Sequence, residues 1–104
     1  MLFTLFGKGT GIPAPAAPSD LQALYSSDVK FDLTWADNAT SEIAYLIERS
    51  TDGTNFTKRT TVAPNKASYS DTELFDPSLT YYYRVAAIGI SDTSAYSNID
   101  STAV

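Results

Sequence analysis

Between Val29 and Trp35 every second residue is apolar: Val29, Phe31, Leu33 and Trp35 alternate with Lys30, Asp32 and Thr34. Successive strand side chains point to opposite faces, so this period of two predicts a half-buried β-strand with the four apolar residues inward. Shorter runs of the same kind recur at residues 21–25, 43–49, 56–62, 67–72, 79–87 and 94–104. Residues 26–28, 37–41, 51–54, 63–66, 74–77 and 89–93 interrupt them with Ser, Asp, Asn, Gly and Pro. Seven short strands at this spacing predict an all-β sandwich of two antiparallel sheets, with residues 21–25 at an edge.

The run at 79–87 is the richest in aromatic residues. Alternation places Tyr81, Tyr83, Val85 and Ala87 on one face and Tyr82, Arg84, Ala86 and Ile88 on the other, where charged Arg84 marks the wetter side. The same phase turns Tyr45 and Ile47 inward on the third strand and Leu46 and Glu48 outward. The expected core is therefore Trp35, Tyr45, Ile47, Tyr81, Tyr83 and Val85, with Trp35 at its centre. The expected contact patch is Leu46, Tyr82 and Ile88, beside a cross-strand Glu48–Arg84 pair. Asp52-Gly53 lies between two alternating runs, where glycine supplies the positive φ of a tight hairpin; it reads as a turn, not a metal site.

The start of the chain follows a different pattern. Met1, Leu2, Phe3, Leu5 and Phe6 form an apolar run that ends in Gly7-Lys8-Gly9-Thr10-Gly11, followed by Pro13, Pro15 and Pro18 interleaved with alanine. The run is too short for the core of a secretion signal. The glycine stretch resembles a phosphate loop in composition only, because its Gly-Lys spacing is wrong and no strand-loop-helix pattern surrounds it. Glycine gives a joint and closely spaced prolines an extended spacer. Residues 1–17 are thus expected to be an apolar arm with a linker, standing off a domain at 18–104. The arm's large side chains suit strand addition to another protein's sheet or burial in an apolar groove.

Composition narrows the chemistry. Of 104 residues, 7 are basic and 12 acidic, giving a net charge of −5 with neither sign in a run. Phosphate binding is driven mainly by Lys and Arg, so nucleic acid is not an expected partner. There is no cysteine and no histidine. Their absence removes disulfides, thiolate metal sites, the usual general base and the Ser-His and Cys-His nucleophile pairs. No apolar run approaches the roughly 20 residues that span a bilayer. Asp71, Glu73 and Asp76 lie close in sequence but lack the ligand spacing of a calcium loop, and read as a solvated turn. No catalytic residue, cofactor or metal is expected.

Taken together, "LTW" ending at Trp35, "YLIERSTDGTNF" from Tyr45, "YSDTEL" from Tyr69, "YYYRVAA" from Tyr81 and "SAYSN" from Ser94 closely resemble a fibronectin type III domain of the bacterial and bacteriophage kind. The resemblance covers residues 15–104 and implies a seven-stranded immunoglobulin-like sandwich without a disulfide. It also implies that Tyr81 is the corner tyrosine, with its hydroxyl bonded to backbone near residues 74–77. Residues 89–93 carry no Arg-Gly-Asp, so integrin binding does not carry over. The functional expectation is a non-enzymatic structural or binding module, first a small bacteriophage virion protein at the virion surface. In that reading Met1, Leu2, Phe3, Leu5 and Phe6 anchor it to capsid or tail proteins, and the domain is displayed, with host-surface glycans as a further partner. The alternative is an extracellular carbohydrate-binding or spacer module of a secreted bacterial glycosidase or adhesin.

Overall fold

A computed structural model describes residues 12–26, 30–72 and 75–104. Among them are seven strands: β1 (Ser19–Ser26), β2 (Lys30–Ala36), β3 (Ala44–Ser50), β4 (Thr57–Val62), β5 (Ser68–Asp71), β6 (Tyr81–Ile88) and β7 (Asp100–Thr102). They form a three-stranded sheet in the order β1-β2-β5 and a four-stranded sheet in the order β4-β3-β6-β7. All pairings are antiparallel. The all-β, two-sheet architecture is the one that the period of two predicts.

The core lies between the sheets, where the inward phase of each strand places it. Phe31, Tyr45, Ile47, Tyr83 and Val85 have no exposed surface, and Tyr81 is buried with them. Trp35, expected at the centre, is buried but stands to one side, against Tyr45. The centre is Phe31, whose ring meets those of Tyr25, Phe75, Tyr81 and Tyr83 at centroid distances of 3.9–6.3 Å. The reason is what meets each end of β2: both residues lie one position from a strand end, but Tyr25, Phe75, Tyr81 and Tyr83 converge at the Phe31 end, whereas the ring that meets Trp35 is that of Tyr45. Tyr81 is fixed as a corner, since the Asp76 N–H donates to its hydroxyl at 2.6 Å.

The seventh strand departs from expectation. Regular pairing is confined to Asp100–Thr102, and residues 94–98 run beside β6 on serine hydroxyls. Ser94 and Ser97 N–H groups donate to the Ala87 and Val85 carbonyls. Their side-chain oxygens in turn accept the Ala87 and Val85 N–H groups at 2.8 and 3.0 Å. Residues three apart cannot both fall in a period-two ladder, so hydroxyls supply the acceptors that backbone carbonyls would otherwise provide.

Side chains also close the gap between the sheets along β1. Asn98 accepts the Leu21 N–H at 2.9 Å and donates to the Leu21 carbonyl at 3.1 Å, while Asp100 accepts the Ala23 N–H at 2.8 Å. An edge strand presents unpaired backbone groups that invite other chains, and these contacts occupy some of them. β1 itself bulges between Ser19 and Gln22, with Asp20 at φ 55°.

Of the proline-rich spacer, Ile12, Pro13 and Ala14 are exposed, but Pro15 is buried. Pro15 lies against Gly89, where an added Cβ would stand 2.8 Å from the proline ring and 2.8 Å from the Asp92 carbonyl. Only glycine fits there. The Asn38 side-chain amide further holds the Ala17 carbonyl and the Ser19 hydroxyl. The segment that enters the domain thus lies on it from Pro15 onward.

Candidate functional site

The outward face of the four-stranded sheet is built around Arg84. Register pairs Glu48 with Arg84, Leu46 with Ala86, Ala44 with Ile88 and Ser50 with Tyr82. The expected Glu48–Arg84 pair forms, at 2.8 Å. The guanidinium also packs over the rings of Phe56 and Tyr96, 4.2 and 3.7 Å from their centroids. A planar, weakly hydrated cation suits such stacking, which contributes beyond simple burial. Leu46, Tyr82 and Ile88 share this face, and each is half-buried. Tyr82 lies over Gly53, whose φ of 78° sets the β3–β4 turn. Ala86, on the same wetter face, has no exposed surface at all. Tyr96 is the most open aromatic of the group, at 42 % exposed; alternation does not reach it because it precedes the regular part of β7.

A second cluster is ionic and internal. Asp71 is completely buried and receives Arg49 at 2.9 Å, Arg59 at 3.1 Å and the Tyr83 hydroxyl at 2.6 Å. Arg49 also packs over the rings of Tyr81 and Phe75. The solvated-turn reading of the 71–76 carboxylates is therefore wrong for Asp71. Its position in β5, two residues after Tyr69, puts it in the inward phase, as Arg49 and Tyr83 are in theirs. Burial, then the bond to Asp71, raises the Tyr83 hydroxyl well above the ordinary tyrosine value, against the opposing pull of Arg49. Asp76 does sit in a turn, where Ser78 donates through its N–H and hydroxyl and lowers the carboxyl below its usual value. Glu73 lies outside the described residues.

The β3–β4 turn is organised by Asp52, which accepts the Thr54 and Asn55 N–H groups and the Asn55 amide, each at 2.8 Å. These donors, led by the Asn55 backbone, push its carboxyl well below the usual range. Its oxygens are thus engaged by the turn that the Asp-Gly signal predicts. At the opposite end of the sandwich the Tyr45 hydroxyl donates to Asp37. Burial first and that carboxylate second raise this tyrosine too. Nearby, Glu42 accepts the Asn65 N–H at 2.9 Å and ties two loops together. No group of three potential metal ligands occurs among the described residues. No helix among them is long and apolar enough to cross a membrane. The expected anchor, Met1, Leu2, Phe3, Leu5 and Phe6, lies outside the described residues.

The architecture recurs in solved structures. A Fn3-like protein from Clostridium thermocellum is 30 % identical, with a TM-score of 0.71 over 86 % of this chain and 92 % of that one. The chain belongs to this fibronectin type III-like family. The pectate lyase PelI from Erwinia chrysanthemi, solved with tetragalacturonic acid, contains a similar fold at 18 % identity and a TM-score of 0.73, over 84 % of this chain and 28 % of that one. A beta-1,2-glucanase from Parabacteroides distasonis does so at 22 % identity and 0.67, over 86 % and 12 %. In those two enzymes the likeness shows the fold and covers a minor part of the chain. No protein-family model and no curated protein matches this sequence.

Proposed function

We propose that the chain is a non-catalytic spacer and binding module of a larger extracellular assembly, of the kind attached to bacterial carbohydrate-active proteins. The observation that carries this reading is the likeness to the Clostridium thermocellum Fn3-like protein, over 86 % of this chain and 92 % of that one. The lyase and the glucanase, in which similar folds form a minor part, point the same way. The charged and hydroxylated groups at the strongest internal clusters are committed to the fold: Asp71, Arg49 and Tyr83 to the core, Asp52 to a turn. That leaves the outward face around Tyr96, Tyr82 and Ile88 for contact.

Binding to immobilised polysaccharides tests it. Retention that is lost in Tyr96→Ala, measured at a temperature where the variant remains folded, supports a glycan-binding role. Absence of retention on any glycan reduces the domain to a spacer.

A second reading is carried by the apolar arm: a small virion protein that anchors to a capsid or tail protein through Leu2, Phe3, Leu5 and Phe6 and displays the sandwich. Removing residues 1–11 and measuring assembly onto the parent particle decides it. Undiminished assembly rules the anchor out.

A further inference from the structure

Arg84 uses only part of its hydrogen-bonding capacity within the domain. Its Nε and Nη2 both meet one oxygen of Glu48, Oε1, each at 2.8 Å. A guanidinium carries five N–H donors and a carboxylate two acceptor oxygens, so Nη1 of Arg84 and Oε2 of Glu48 remain on the same ion pair without a protein partner. The pair is open at its outer edge, with the two side chains 25 % and 13 % exposed. The guanidinium lies between Phe56 and Tyr96 and covers one face of the Tyr96 ring. Tyr96 is exposed all the same, so its other face looks to solvent.

We propose that the Arg84–Glu48 pair reads neighbouring hydroxyls of an uncharged polysaccharide, one of whose sugar rings lies on Tyr96. The first support is chemistry. A hydroxyl both donates and accepts, so one can accept from Nη1 of Arg84 while the next donates to Oε2 of Glu48, and both bonds are charge-assisted. The C–H face of a sugar ring meets the open face of Tyr96, an apolar body with weak C–H contacts. The second support is charge. Glu48 neutralises Arg84, and Lys58, opposite Glu48 in register, is balanced by Asp52, which precedes the Gly53 beneath Tyr82. The whole chain carries −5, so a polyanion would meet no surplus of positive charge here. The third is extent: Tyr82 lies on the same face two residues before Arg84, about 7 Å along β6, where a further sugar of the same chain can reach it. The assignment rests on the glycan-binding reading of the domain and names its ligand.

Affinity electrophoresis of the full chain tests it, in gels cast with a neutral glucan, a neutral mannan, a neutral xylan or a polyuronate. Each neutral polymer is also used after its hydroxyls are converted to methyl ethers, which keep the sugar ring and its lack of charge but remove the O–H donors. The wild type should be retarded by a native neutral polymer, and to the same extent at low and high salt. Methylation should weaken retention about tenfold, the loss expected for a hydrogen bond to a charged group. Glu48→Gln, close to Glu in shape and read at a temperature where the variant remains folded, should weaken it by a similar factor, because a neutral amide replaces the charged acceptor. Equal retention on native and methylated polymer, or of wild type and Glu48→Gln, overturns the assignment while leaving a glycan bound on Tyr96. Retention by the polyuronate alone, or retention that falls steeply with salt, overturns it by making the ligand ionic. No retention on any native polymer removes the glycan-binding reading and the assignment with it.

Discussion

Asp71 shows what one residue can cost and secure. A carboxylate with no exposed surface is tolerated only when fully paired, and here two arginines and a tyrosine hydroxyl converge on it. The cluster bridges the two sheets: Asp71 lies on β5 of the three-stranded sheet, and Arg49, Arg59 and Tyr83 lie on β3, β4 and β6 of the four-stranded one. The knot therefore fixes how one sheet sits on the other. Asp71→Asn keeps the shape but leaves both arginines without their counter-charge, and should cost about 3 kcal/mol, the low end for a broken buried pair because the arginines retain some water. Urea unfolding should show a lower midpoint with an unchanged slope. Arg84 poses a milder test. Arg84→Lys preserves the charge beside Glu48 but loses the planar stack on Phe56 and Tyr96, and should cost about 0.5–1 kcal/mol by the same measurement.

At the level of the element, β1 depends on residues that a strand pattern does not flag. The Asn98 amide reproduces a backbone pairing by taking both the N–H and the carbonyl of Leu21. Asn98→Ala should destabilise the domain by about 1–3 kcal/mol, the cost of leaving part-buried backbone groups unpaired. Native-state hydrogen exchange at Leu21 should accelerate more than at Val85, in the centre of the sheet. The contrast explains what was legible in the sequence. Period-two alternation found β2, β3 and β6 because their apolar residues occupy every second position, and it set the inward phase of Tyr45, Ile47, Tyr81, Tyr83 and Val85. It overextended the last strand, because Ser94 and Ser97 bind β6 through hydroxyls that look polar and solvent-facing in sequence. It left Asp71 read as part of a solvated turn, because the charge obscured the burial: the compensating arginines sit 22 and 12 residues away, and only the fold brings them together. The outward patch was legible as a face, with Leu46, Tyr82 and Ile88 on it. The stacking of Tyr96 on Arg84 was not, since Tyr96 belongs to the irregular approach to β7.

For the whole molecule, both ends of the sandwich hold a buried tyrosine hydroxyl donating to an acid: Tyr45 to Asp37 and Tyr83 to Asp71. Both hydroxyls are raised above the ordinary value, first by burial and then by the adjacent carboxylate. In the unfolded chain a tyrosine ionises near pH 10. Above that pH the unfolded state releases protons that the folded state retains, so the contribution is complete below about pH 10 and declines as pH rises. Each such tyrosine should remove up to about 1.4 kcal/mol of stability per pH unit in that range. On the acid side Asp52 and Asp76 behave oppositely: their lowered carboxyls favour the fold above about pH 4 and lose that contribution as pH falls. Both are exposed, so the acid limb should be shallow and the alkaline limb steep. Urea unfolding of the wild type and Tyr83→Phe between pH 9 and 11.5, a window set about the ordinary tyrosine value, separates the two sources. The variant should start about 1 kcal/mol lower for want of the bond to Asp71. It should then decline less steeply by one proton, since Tyr45 alone still carries the linkage. Parallel slopes for the two proteins would mean that Tyr83 gives up its proton in the folded state as readily as in the unfolded one, and would remove the Asp71 knot as the origin of alkaline sensitivity.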